Sequence, residues 1–163
     1  MNYTLQKHLA YNLWANTNFA EALKHTEEEL FDKEVASSFP SLQKTVCHMW
    51  DAESIWLSRI NGVSPSVWPS QTFNGTRDQC LDGFLDISKN LSDFFVGKDN
   101  TFCAQTISFK TMHGDDASET IEGIIFHVVN HGSFHRGQLA TMLRALGINQ
   151  VPVSDLIRYL RQS

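Results

Sequence analysis

The sequence has no long hydrophobic run, few cysteines and little positive charge, and each shortage argues against a class of protein. No apolar stretch approaches the roughly 20 residues that a membrane-spanning helix needs, so we expect no membrane contact. The three cysteines Cys47, Cys80 and Cys103 form no CxxC pair, which favours a reducing, cytoplasmic location over a disulfide framework. The net charge is −5 with only 13 Lys and Arg residues, so we expect no nucleic-acid partner.

The chain does have the composition of a globular protein. Its 163 residues are 42% hydrophobic and include 11 Phe and 4 Trp. A chain of this length can bury a core of its own. We therefore expect residues 1–163 to form one domain.

Apolar residues recur at helical spacing in four long segments. This period predicts helices over 2–26, 41–61, 77–97 and 119–146, and a short helix near 153–162. Thr76 and Ser154 are the expected N-caps of the third and the last helix, and Gly147 is expected to end the fourth.

The connection before the fourth helix has a different pattern. Polar and apolar residues alternate over 106–109 and a His-Gly-Asp-Asp turn follows, which predicts a short β-hairpin or an extended crossover. Together these elements predict an all-α fold, a four-helix bundle with a long crossover before the last long helix and a short C-terminal helix. The length of the crossover argues against a simple up-down-up-down ring.

The segment "HVVNHGSFHRGQL", residues 127–139, places His127, His131 and His135 four residues apart. On a helical wheel all three lie on the apolar face, while Arg136 lies near the opposite side. Burying an imidazole without a partner is costly. Three histidines on one inward stripe therefore indicate a metal site more strongly than a set of core histidines.

The reach of the imidazole ring limits which histidines can share one ion. Residues i and i+4 lie about 6 Å apart along a helix, whereas 127 and 135 lie about 12 Å apart. The ion is therefore held by His127 and His131 or by His131 and His135, and another helix must supply the rest. His48 can point inward from the second predicted helix. A site of His48, His131 and His135 would leave one to three positions open for water or substrate, as catalytic metal sites do.

The remaining candidates are weaker. Glu53 and Asp51 follow His48 on the same helix, so their carboxylates are candidates for contact with the ligands, although a solvated helix face explains them as well. The HExxH pattern of zinc proteases is absent. The other histidines are typical of solvated positions and helix ends: His8, His25 and His113.

Two segments carry a resemblance to a known family. "HVVNHGSFHRGQLATMLRALG", together with His48 in "TVCHMWDAESIWLSRI", resembles the DinB-like family, part of a superfamily that includes YfiT-like metalloproteins and bacillithiol transferases. "LAYNLWANTNF" and "DLIRYL" extend the resemblance over nearly the whole chain. It implies a four-helix bundle, often homodimeric, whose divalent transition metal (zinc, nickel, iron or manganese) is bound by His48, His131 and His135. It also implies that His127 lies beside the ligands without binding the ion, and that Gln138 can reach a water on it.

The resemblance leaves three functions open. The first is a metal-dependent transferase that conjugates a low-molecular-weight thiol to a small electrophilic substrate, in detoxification or stress response. The second is a metal-dependent hydrolase that activates water at the same site, with Glu53 or His127 as general base. The third is a non-catalytic, metal-binding stress-response protein.

Overall fold

Four long helices dominate the computed structural model, which describes residues 3–162. The elements in chain order are α1 (Tyr3–Lys24), α2 (Glu28–Phe31), α3 (Leu42–Ile60), α4 (Pro69–Thr72), α5 (Arg77–Phe94), α6 (Asn100–Cys103), β1 (Thr106–Lys110), β2 (Asp116–Thr120), α7 (Ile121–Ala145) and α8 (Leu156–Leu160). None of the described helices is both long and apolar enough to cross a membrane. The all-α bundle predicted from the sequence is confirmed.

Local sequence signals explain where the long helices begin and end. The hydroxyl of Thr76 accepts a hydrogen bond from the Gln79 backbone N–H, and Oε1 of Gln79 accepts one from the Thr76 backbone N–H. This reciprocal capping box starts α5. Gly147 follows α7 with a φ of 87°, the left-handed conformation that lets glycine end a helix. Both predictions are confirmed.

The last helix begins later than predicted. Asp155, not Ser154, occupies the N-cap position of α8. The backbone carbonyl of Ser154 instead accepts a hydrogen bond from the Tyr11 hydroxyl at 2.7 Å. This bond holds the residue before α8 against α1.

The predicted hairpin is present. Strands β1 and β2 pair antiparallel, from Thr106 opposite Thr120 to Lys110 opposite Asp116. Residues 119 and 120, predicted to begin the fourth long helix, belong to β2, and Thr120 caps α7 by accepting a hydrogen bond from the Gly123 N–H at 3.1 Å. The strand therefore runs directly into the helix that carries the histidines.

The packing order of the long helices differs from their order in the chain. Helices α1 and α3 each pack against both α5 and α7, so the ring runs α1, α5, α3, α7. In this arrangement α1 lies diagonally opposite α3, and α5 lies diagonally opposite α7. The crossover that contains the hairpin spans the diagonal from α5 to α7. The bundle is therefore not a simple up-down-up-down ring, as the length of the crossover predicted.

A buried polar network crosses the bundle between two apolar clusters. Asn12 and Asn16 of α1 donate from Nδ2 to Oε1 of Glu53 on α3 at 2.7 and 2.9 Å, and both accept from Nη1 of Arg136 on α7 at 2.9 and 2.6 Å. Ser88 of α5 donates to Oε2 of Glu53 at 2.6 Å. These five residues, the Glu53–Arg136 network, connect all four long helices at one level.

The helical wheel placed Arg136 correctly, away from the histidines, but did not indicate that it is buried. Its side chain is only 1% exposed, although it lies far around α7 from the histidines. Because α7 packs against both α1 and α3, its buried arc is wide enough to include two chemically different faces. One face carries the histidines and the other carries this arginine.

Candidate metal centre

The structure brings His48, His131 and His135 together at the contact between α3 and α7. His48 lies on the first half of α3, and the other two lie one turn apart on α7. His135 is buried and the other two rings are half-buried. We call these three residues the histidine triad.

Three ring nitrogens of the triad converge on one point. Nε2 of His131 lies 2.9 Å from Nε2 of His48 and 3.1 Å from Nε2 of His135, and the candidate ligand atoms all lie within 4.8 Å of one another. Nitrogens that share an ion at metal–nitrogen distances near 2.0–2.1 Å are separated by about 3.0–3.4 Å. The two distances from Nε2 of His131 are therefore close to the separation expected of nitrogens that share one divalent cation.

A hydrogen bond at Nδ1 of His135 leaves Nε2 of the same ring free to bind a metal. Nδ1 lies 2.7 Å from Oε1 of Gln138, and a carbonyl oxygen can only accept, so Nδ1 carries the proton and Nε2 has a free lone pair. Gln138 in turn donates from its amide nitrogen to the Ser38 hydroxyl at 3.2 Å. Gln138 therefore orients a ligand ring through its carbonyl oxygen, and its contact with a water on the ion stays a prediction.

The rings cannot satisfy one another without a cation. Nε2 of His131 approaches two other Nε2 atoms, but one nitrogen can donate only one proton. Nε2 of His135 is an acceptor, so Nε2 of His131 either donates its proton to His135 or has no proton and leaves that pair unbonded. In either case at least one of the two close nitrogen pairs has no hydrogen bond. A shared divalent ion would use all three lone pairs.

Burial and mutual proximity keep the triad neutral. Burial, followed by the charge of His135, lowers the pKa of His48 to about 4. Burial, followed by the neighbouring His135 and His48, lowers the pKa of His131 to about 3. Both values lie below the ordinary histidine pKa near 6.5. Neutral imidazole is the form that binds metals, so protons compete weakly for this site near neutral pH.

The chain between α2 and α3 covers the triad on one side. The Phe39 ring stacks on His48 with centroids 4.0 Å apart and meets His135 edge-on at 5.6 Å. Ser38, its neighbour in sequence, holds Gln138. Sequence reasoning missed both residues, since this segment has no periodic pattern that would indicate its position.

His127 lies next to the triad but outside it. Its ring centroid is 5.8 Å from that of His131 and 5.4 Å from the Trp56 ring. Burial lowers its pKa, although the residue as a whole is exposed. Of the two arrangements that spacing alone left open, the structure assembles the His131 and His135 pair with His48.

Glu53 does not lie where the sequence interpretation expected. Its side chain is 3% exposed, and its hydrogen bonds go to α1 and α5 within the Glu53–Arg136 network. Five residues turn an α-helix by about 140°, which directs Glu53 away from the face that carries His48. Burial raises the pKa of its carboxyl group, with the hydrogen bonds from Ser88 and the two asparagines partly opposing that shift.

Two cavities open on the triad. The first, of about 340 Å³, lies between α3 and α7, and we call it the apolar cavity. Its walls include His48, His131, His127, Trp56, Trp68 and Arg59. The second, of about 420 Å³, reaches His48 from the side of Phe39 and Cys47. Small molecules can therefore approach the ligand atoms from two directions.

Asp51 forms part of the wall of both cavities. Its carboxylate accepts a hydrogen bond from the Ser70 backbone N–H at 2.9 Å and another from the Ser70 hydroxyl. Burial raises the pKa of this carboxyl group, and the bonds from Ser70 oppose the shift. Asp51 therefore fixes the short helix α4 against α3. Within residues 3–162, no carboxylate is hydrogen-bonded to a triad ring.

Comparison with known proteins identifies the family of the chain. A model of the DinB family matches residues 1–162. Protein DinB of Bacillus subtilis is 27% identical over 149 residues, which cover 87% of this chain and 86% of that protein.

Two solved structures share the fold. A DinB-like protein from Bacillus cereus superposes with a TM-score of 0.68 at 16% identity, covering 88% of this chain and 91% of that one. YfiT from Bacillus subtilis, described as a probable metal-dependent hydrolase with an unusual four-helix bundle topology, superposes with a TM-score of 0.66 at 11% identity and covers 90% of each chain. The chain belongs to the DinB family.

Proposed function

We propose that this DinB-family protein binds a divalent transition metal through His48, His131 and His135 and transfers a low-molecular-weight thiol to an electrophilic small molecule. The observation that carries the metal site is the convergence of three Nε2 atoms, one of which is fixed as an acceptor by Gln138. A three-imidazole site leaves coordination positions free, as catalytic sites require.

The surroundings of the triad favour a thiol over water as the nucleophile. An ordinary thiol has a pKa near 8.5, whereas bulk water has one near 15.7. When bound, a divalent cation would lower the pKa of an entering thiol and hold its sulfur as the nucleophilic thiolate. A divalent cation would also lower the pKa of bound water, and a base in contact with that water would assist the proton transfer. Among the described residues the predicted base Glu53 is committed to the network that connects the four helices.

The residues of the site would position the reactants. The triad and Gln138 would fix where the sulfur enters, and the apolar cavity would exclude water around the bound thiol. The sulfur–carbon bond would form as the carbon releases its leaving group with the bonding electron pair, and the thiol proton would pass to solvent. No side chain of the protein needs to become covalently attached.

Metal content tests the site itself. Elemental analysis of protein purified without a histidine tag should find about one divalent ion per chain. His131→Ala should lose the ion because it removes the nitrogen that lies between the other two. His127→Ala is the matched control on the same face of α7 and should retain it. A wild-type protein that stays metal-free after exposure to zinc, nickel, iron and manganese salts would exclude the proposal.

A thiol panel tests the reaction. Metal-loaded protein is mixed with a chromogenic electrophile and with glutathione, bacillithiol, mycothiol or cysteine in turn. Thiol-dependent conjugation that disappears in His131→Ala would support transfer. Retained metal without conjugation or hydrolysis would leave the non-catalytic alternative.

Hydrolysis is the second candidate, and two observations favour it. The structurally similar YfiT is described as a probable metal-dependent hydrolase. In addition, His127 lines the apolar cavity beside His131 and could take a proton from water there. Ester turnover without thiol that falls in His127→Gln, while metal content stays unchanged, would favour hydrolysis. The homodimer and the identity of the metal stay predictions, which light scattering and the elemental analysis would test.

A further inference from the structure

Arg59 on α3 is a buried cation without an anion. It is 7% exposed, and burial lowers its pKa with no neighbouring charge to oppose the shift. The guanidinium group nevertheless stays charged at neutral pH. No carboxylate forms an ion pair with it within residues 3–162. Because a buried charge without a partner is costly, its retention beside a cavity calls for an explanation.

The donors of Arg59 are only partly used. Nη2 donates to the Lys110 backbone carbonyl oxygen at 2.8 Å, whereas the buried Nε–H has no acceptor. The guanidinium carbon lies 4.7 Å from the centre of the Trp56 ring and 4.6 Å from that of Phe109. These aromatic contacts orient the group, so the remaining N–H donors of its terminal Nη nitrogens are the part left for a ligand.

The same cavity connects Arg59 to the triad. His48, Ile55 and Arg59 follow one another along one face of α3 and all line the apolar cavity. The Arg59 guanidinium lies back over Trp56, which is eight residues beyond His48, so the two ends of the cavity are on the order of 10 Å apart along the helix. The rest of the wall is mainly apolar, with Trp56 and Trp68 on it, apart from Asp51, whose carboxylate is hydrogen-bonded to Ser70.

We propose that the apolar cavity binds a small ligand with a terminal carboxylate, which accepts hydrogen bonds from Arg59 while the apolar body lies against Trp56 and Trp68. The other end of the ligand reaches the triad. What happens at that end rests on the proposed function, and the substrate class follows from the two ends together. It is a thiol whose sulfur and carboxylate are separated by an apolar stretch on the order of 10 Å.

Four ligands of one length separate the two ends of the cavity. Octanoate, octanol, 8-mercaptooctanoate and 8-mercaptooctanol differ only in whether they carry a thiol, a carboxylate, both or neither. Binding to metal-loaded protein is followed by calorimetry and by the fluorescence of the cavity tryptophans. Each acid should bind about 10- to 100-fold more tightly than its alcohol, the range expected of charge-assisted hydrogen bonds.

Variants assign that preference to Arg59. Arg59→Gln should remove the difference between acid and alcohol and leave alcohol binding unchanged, whereas Arg59→Lys should keep part of it. Arg144→Gln, an exposed arginine on α7, is the matched control. Met112→Glu changes a side chain that is 70% exposed at the cavity wall, so it should fold even if the Arg59 variants do not. It should weaken acid binding alone by placing a competing carboxylate there.

Each outcome has one meaning. Equal binding of acids and alcohols to the wild type would overturn the inference. A preference that survives Arg59→Gln would also overturn it, because it would place the carboxylate on the metal. In metal-loaded wild type the two thiols should bind more tightly than octanoate and octanol, and we call this difference the thiol advantage. If His131→Ala loses only the thiol advantage and still prefers acids, the Arg59 assignment is supported. An absent thiol advantage in metal-loaded wild type would contradict the proposed transfer and leave the carboxylate site standing.

Discussion

Replacing Glu53 should destabilise the protein without removing its metal site. Three buried donors point at this carboxylate, from Asn12, Asn16 and Ser88, and the charge of Arg136 lies beyond the two asparagines. Glu53→Ala leaves those donors and that charge without their partner. Removing one member of a buried charge pair costs about 3–5 kcal/mol, and we expect a loss in that range.

A conservative variant separates charge from shape. Glu53→Gln keeps the volume and one accepting oxygen but removes the negative charge, so we expect a smaller loss of about 1–3 kcal/mol. Asp86→Asn, on the exposed side of α5, is the control and should stay within about 0.5 kcal/mol of the wild type. Urea unfolding followed by circular dichroism measures the free energy of unfolding of all three variants. A changed slope of the transition would show that a variant no longer unfolds in the same two-state manner.

The same variants test the general-base role that the sequence suggested. If the network is structural, Glu53→Gln should retain its metal and most of its turnover at a temperature where it is folded. Unchanged stability together with lost turnover would refute this reasoning and return Glu53 to the reaction.

Three further predictions concern α7 and the triad. Gly132→Ala would place a methyl carbon 2.7 and 2.9 Å from two atoms of the Glu53–Arg136 network, so urea unfolding should show a loss of about 1–3 kcal/mol, whereas Gly137→Ala, with nothing within 4 Å, should gain up to about 1 kcal/mol. Gln138→Leu removes the partner that orients a ligand ring, and competition with a chelating dye should show about 10- to 100-fold weaker metal binding. The pKa values of His48 and His131 are lowered to about 4 and 3 in the folded protein. As the pH falls, these two histidines are therefore protonated in the unfolded chain before they are protonated in the metal-free folded protein. Its free energy of unfolding should therefore fall as the pH decreases below about 6.5, and an equally steep fall in His131→Leu would contradict this.

The long helices were predictable because their signals are local. The capping box at Thr76 and the glycine at 147 act within a few residues of the chain. The contact that holds Ser154 in place was not predictable, because its partner Tyr11 lies 143 residues away in the chain. The packing order of the helices could not be predicted from the apolar periodicity, which showed only that the crossover is long.

The candidate site divides in the same way. Four-residue spacing identified the histidine stripe but left two pairs open, and the choice of His131 and His135 with His48 came from the family resemblance. Arg59 had no distinguishing pattern, because its environment is made by Phe109 and Lys110 from the hairpin. A buried arginine of this kind becomes visible only when two segments are packed together.

The gradient of exposure along α7 explains why a metal site can exist in this bundle. His135 is buried, His131 is half-buried and His127 is exposed, so the stripe passes from the core to the cavity within two turns. An ion further inside the core would have no approach for a substrate, and one further out would lose the burial that keeps its ligands neutral. Arg136, on the other buried face of the same helix, is held by the network that fixes α7 against α1. The network can therefore keep the helix in place while the histidine face stays open to ligands, so loss of the network should change stability more than metal affinity.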